Sequence, residues 1–121
     1  MPGPFPYDPA ALAELQAVNP DDRGAFVVEL IDLFLRDTPP LLDAIERATH
    51  TRDSVLAGRS AHSIKGSAGN FGAGGVTDLA RAVETAAKAN DWPQVAATLP
   101  RLRQAFAELA TALRQVPRPG A

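Results

Sequence analysis

Apolar positions recur along the chain at alternating spacings of three and four, the period of an α-helix at about 100° per residue. Nowhere does the strict alternation of a strand appear. A short first helix carries Ala10, Leu12, Ala13 and Leu15 behind Asp8-Pro9, an N-cap followed by proline at the first helical position. Asn19-Pro20-Asp21-Asp22 repeats that signal, with acids where the helix macrodipole favours them. The helix it predicts runs to about Arg36 with Phe26, Val27, Leu30, Ile31 and Phe34 on its inner face, widened by Leu33 and Leu35. Thr38-Pro39 predicts a bend and a fresh start, after which Leu41, Leu42, Ile45 and Ala48 continue the apolar face. Asp53 caps a further helix whose stripe is Ala57, Ala61, Ile64, Ala68 and Phe71. Gly72 to Gly75 end it in a turn. Leu79, Ala80, Val83, Ala86 and Ala87 form the next stripe. Val95, Leu99, Leu102, Phe106, Leu109 and Leu113, opened by Asp91-Trp92-Pro93, form the last and most regular. Pro100 lies inside that last pattern and predicts a kink there, because it lacks an N–H and meets the carbonyl four residues earlier.

These elements predict an all-α fold: an antiparallel four-helix bundle with an additional short N-terminal helix. Residues 1–7 are Pro-rich and expected to be irregular, 8–116 form the bundle, and 117–121 form a tail. At 121 residues the chain suits one domain. Few aromatics (6%) imply a core of Ala, Leu and Val, which suits closely packed helices.

Charge and composition exclude several classes. The formal charge is −2 with both signs interspersed, so no nucleic-acid footprint is present. No apolar run approaches the roughly 20 residues that span a bilayer. The start lacks the basic and apolar regions of a signal peptide, and cysteine is absent. The expectation is a cytoplasmic monomer without membrane contact. Two histidines and scattered carboxylates do not make a metal site by spacing. No glycine loop followed by Gly-Lys-Ser/Thr and no kinase motif set is present, so autonomous ATP-dependent kinase activity is not expected.

One helix departs from the scaffold pattern. His62 lies roughly 140° from the centre of its helix's apolar stripe, which removes a core role for it. Gly58, Gly66 and Gly69 fall in one arc around it, although each glycine inside a helix costs about 1 kcal/mol relative to alanine. Such a face is bare for a reason: side chains there would keep a partner away. Lys65 sits one turn from His62, and it is one of two lysines, with Lys88, among twelve basic residues. A neutral imidazole is a good nucleophile near neutral pH, and a nearby ammonium would stabilise a phosphoryl group in transit. Val55 falls on the same side and offers an apolar rim. His50 stands at a helix end with nothing chemical around it.

Ala61-His62-x-x-Lys65-Gly66-Ser67-Ala68, followed by Gly72-Ala73, resembles the motif of histidine-containing phosphotransfer (HPt) domains. The resemblance extends over roughly Asp22 to Gln115. It implies a phosphorelay intermediate in which His62 takes a phosphoryl group from a response-regulator receiver domain, or from a kinase such as a hybrid sensor histidine kinase, and passes it to another receiver. Lys65 would be the phosphate-side cation and Gly66 the bare spot for docking. Any Mg2+ would come from the receiver partner, none being bound by this chain. Relatives often place a glutamine or a basic residue on the next helix near the phosphohistidine. Here Glu84 stands where an amide would serve better, and Lys88 is the residue expected to reach it. A helical adaptor that binds a protein through the same face, without phosphate, is the alternative; it needs the flat surface but not the combination of His62, Lys65 and Gly66.

Overall fold

The computed structural model describes residues 6–118. The expected irregular ends lie partly outside them, at residues 1–5 and 119–121. Five α-helices follow in order: α1 (Pro9–Val18), α2 (Ala25–Thr51), α3 (Ser54–Gly69), α4 (Gly74–Lys88) and α5 (Trp92–Leu113). The described residues contain no strand. Each of α2 to α5 packs on the next and α5 closes back onto α2, so these four enclose the core while α1 lies against α2. Arg52–Asp53, Asn70–Ala73 and Ala89–Asp91 are the only connections between them, short enough to set neighbours antiparallel.

Three of the four aspartates that open helices do so as the sequence implies. Asp8 accepts from the Ala10 amide at 2.9 Å, Asp53 from Leu56 at 3.0 Å and Asp91 from Gln94 at 3.2 Å. Because the Asp53 carboxylate satisfies an amide that α3 leaves unpaired, Asp53→Ala should cost about 1 kcal/mol. Thermal unfolding followed by circular dichroism should show a midpoint lowered by a few degrees.

The start of α2 differs from expectation. Pro20–Asp22 form a single 3-10 turn, and the chain then reverses through Arg23 and Gly24, both at positive φ (59° and 89°). Asp22 caps α2 from beyond this reversal, accepting from the amides of Gly24 and Phe26 at 2.9 Å each. The predicted bend at Thr38-Pro39 is also absent. Helix α2 runs 27 residues without a break through Pro39 and Pro40. Its buried positions Val27, Ile31, Phe34, Thr38, Leu42, Ile45 and Ala48 keep helical register across the prolines, which are exposed. Burial on both sides of the pair therefore outweighs the lost hydrogen bonds. Pro100 likewise lies on the exposed side of an uninterrupted α5.

Phe34 is buried between two other rings, with centroids 5.4 Å from Phe71 and 5.5 Å from Phe106 in tilted and edge arrangements. Ala57, Ala61, Ile64 and Ala68 on α3 are wholly buried, as are Ala80, Val83 and Ala87 on α4. Small side chains on the facing stripes let two helices approach closely, which brings their flanking polar residues within reach of one another. The turn between α3 and α4 is tied to the chain start by the Asp8 amide, which donates to the Phe71 carbonyl at 2.9 Å. Gly72 in that turn has φ 59°, and a Cβ there would stand 2.5 Å from the Cβ of Asp8, so this position requires glycine.

Candidate functional site

With the alanine stripe of α3 turned inward, His62 is carried outward, and its side chain is 68% exposed. Across from it on α4, Glu84 is 10% exposed. The two meet: His62 Nδ1 lies 2.8 Å from Glu84 Oε2. The other carboxylate oxygen, Oε1, accepts from Lys65 Nζ at 2.7 Å, and Lys88 Nζ stands 3.6 Å from Oε2. One nearly buried carboxylate thus gathers the imidazole and both lysines of the chain.

The Lys65 hydrogen bond holds the Glu84 carboxyl below the usual carboxylate range. Burial opposes this, while the hydrogen bond with His62 and the charges of Lys65 and Lys88 add to it. Glu84 is therefore ionised, and an ionised carboxylate can only accept hydrogen bonds. The proton between the two residues consequently belongs to Nδ1. That tautomer leaves the lone pair on Nε2, at the opposite edge of an exposed ring. The arrangement supplies an oriented nucleophilic nitrogen without a strong base beside it.

The structure brings His62, Lys65 and Lys88 together, but through Glu84 rather than directly. Lys88 was expected to be the group on α4 that reaches His62; the residue touching the ring is Glu84, and Lys88 is an outer partner of its carboxylate. Val55 is 59% exposed and lines an open groove with Gly58, Arg59, His62, Glu84 and Lys88. Gly66 and Gly69 are exposed, and a Cβ added at either would meet nothing within 4 Å. Gly58 departs from the expected bare surface because it is buried, although a Cβ there would also find open space. It lies at the floor of the groove rather than on its rim. His50 is exposed and apart from this cluster. Among the described residues no group of three or more His, Asp or Glu side chains is placed to hold a metal ion. None of their helices is long and apolar enough to cross a membrane.

Comparison with known proteins places this geometry in a family. The model of the Hpt domain matches residues 29–115. The crystal structure of histidine-containing phosphotransfer protein B (HptB) from Pseudomonas aeruginosa PAO1 superposes with a TM-score of 0.82 at 26% sequence identity, covering 94% of this chain and 95% of that one. A search of curated proteins gave no match. Hpt domains interact with receiver domains and kinases in phosphorelays. Matched over most of its length by the family model and sharing its helical bundle with a solved phosphotransfer protein, the chain belongs to the Hpt domain family, the phosphotransfer intermediates of phosphorelays.

Proposed function

We propose that His62 is the residue that carries the phosphoryl group. Its Nε2 attacks the phosphorus of a receiver domain's phosphoaspartate, the Nε2–P bond forms as the P–O bond breaks, and the electron pair leaves on the aspartate carboxylate. A second receiver takes the group by the reverse sequence, and a hybrid sensor histidine kinase is a further source of phosphate. The observation that carries this reading is the ionised Glu84 carboxylate at 2.8 Å from Nδ1, which leaves Nε2 as the free nucleophile of an exposed ring.

Lys65 serves as the phosphate-side cation. Its ammonium is held one turn from His62 by Glu84, and from there its positive charge offsets the charge that gathers on the transferring oxygens. Docking uses the surface around the ring: Gly66 and Gly69 leave room for the partner's loops, Val55 supplies apolar contact, and the groove floored by Gly58 and edged by Lys88 receives a protruding side chain. The Mg2+ that neutralises charge at the receiver's own acidic site arrives with that partner, and a single copy of this chain suffices for each transfer.

Incubation with a receiver carrying radiolabelled phosphoaspartate tests the assignment. Label that is acid-labile and base-stable should appear on the peptide containing His62; absence of label, or label on His50, would overturn it. Lys65→Ala should leave the bundle folded by circular dichroism and slow single-turnover transfer by about tenfold, the loss of one hydrogen bond to a charged group. The effect is limited because Lys65 already shares its charge with Glu84.

A further inference from the structure

Glu84 occupies the one edge of His62 that the transferred group does not use. On the reading that His62 is the acceptor, attack by Nε2 leaves a ring bonded to phosphorus at Nε2 and to hydrogen at Nδ1, an imidazolium. Whether that ring keeps its Nδ1 proton decides how the bond breaks. With the proton in place, imidazole departs as a neutral molecule, the electron pair of the N–P bond returning to Nε2, and no proton moves. Without it, the leaving group would be an imidazolate anion, and the phosphoramidate persists.

We infer that Glu84 keeps the phosphorylated His62 ring protonated at Nδ1, so that this chain holds phosphate in a transfer-ready, short-lived form and serves as a carrier rather than a store. Hydrogen-bond capacity fixes this proton. A carboxylate accepts only. Were Nδ1 to lose its proton, its lone pair would face Oε2 across 2.8 Å with no hydrogen between them. An amide in the same place would be indifferent, accepting from a protonated Nδ1 through its oxygen and donating to an unprotonated one through its nitrogen. Nor can Glu84 escape by protonation, since Lys65 at 2.7 Å and Lys88 at 3.6 Å hold it ionised.

The charges facing the ring are few. On α3 they are Arg59 and Lys65, and on α4 Glu84 and Lys88; α2 and α5 contribute nothing to the groove that contains His62. Arg81 on α4 is paired with Asp78 at 3.3 Å. Both lysines are drawn onto Glu84, so the carboxylate at Nδ1 is the nearest charge to that proton, and the phosphoryl oxygens at the other edge favour the proton as well.

The full chain and its Glu84→Gln variant, both loaded with phosphoramidate as a small-molecule donor and freed of it, provide the test. Decay of the label is followed without any receiver from about pH 5.5 to about pH 9, the range around histidine titration. At the acid end both rings are protonated and should decay alike. At the alkaline end the wild type should lose its label about fivefold faster, the advantage of a charge-assisted over a neutral hydrogen bond. Equal decay there overturns the inference. Nitrogen NMR of the phosphorylated wild type gives an answer independent of the variant's folding: Nδ1 should carry a proton at the alkaline end, and a bare Nδ1 overturns the inference equally. If His62 accepts no label at all, the acceptor assignment fails instead, a different result from label that is taken up and decays without regard to residue 84.

Discussion

His62→Gln abolishes labelling by a phosphorylated receiver under the proposed mechanism and leaves the helical circular dichroism signal unchanged. The loss is complete rather than partial because no second imidazole is near: the only other histidine, His50, lies in a separate groove with Glu46 and Arg103. Glutamine is the suitable replacement. Its amide nitrogen can donate to Glu84 as Nδ1 does, so the buried carboxylate keeps a partner and the fold is not taxed by an unsatisfied charge. A gel-based transfer assay with thermal unfolding run in parallel separates the two effects. Label retained by the variant would remove His62 from the mechanism.

Gly66→Leu should reduce receiver-dependent transfer by about 100-fold, the scale expected when reacting groups are displaced by an ångström. The same variant should be more stable than the parent by roughly 1 kcal/mol, since glycine is the poorest ordinary residue inside a helix. The two changes have opposite signs because a Cβ at position 66 meets nothing of this chain within 4 Å. Under the proposed function that open space is where the receiver docks. Chemical loading by phosphoramidate, which needs no docking surface, should proceed at the parental rate. A Gly66→Leu protein that exchanges phosphate with receivers normally would show that docking does not use this face.

Much of the scaffold was legible because its causes are local. Asp8, Asp53 and Asp91 cap helices where a carboxylate one residue before an apolar-periodic run is expected to. The Ala57, Ala61, Ile64 and Ala68 stripe is buried as its spacing implies, and the exposed face that carries His62 follows from the same period. Local rules failed at Pro39 and Pro40. There the helix-breaking signal is as strong as at Pro9, but buried Phe34 and Leu42 on either side belong to one packed surface, and a bend would have pulled one of them out of it.

For the candidate site, the residues on α3 could be named from the sequence, and the residue that organises them could not. Along α4, Glu84 lies next to Val83 and four residues before Lys88, where a solvated i,i+4 pair is the natural expectation. It is instead nearly buried, and its partners His62 and Lys65 come from positions 22 and 19 residues earlier. The one available sign was its place at the margin of the Ala80, Val83 and Ala87 stripe, where a carboxylate must find a donor or stay wet.

By itself the sequence determined the helices, their inward faces and the exposed histidine with its bare surroundings, because period, caps and glycine spacing act within a few residues of chain. Only the tertiary structure decided that α2 stays whole through two prolines, that Gly58 sinks to the floor of a groove, and that Glu84 rather than Lys88 holds the imidazole. Those outcomes depend on how closely the alanine faces of α3 and α4 pack, and that distance sets which side chains of one helix can reach the other.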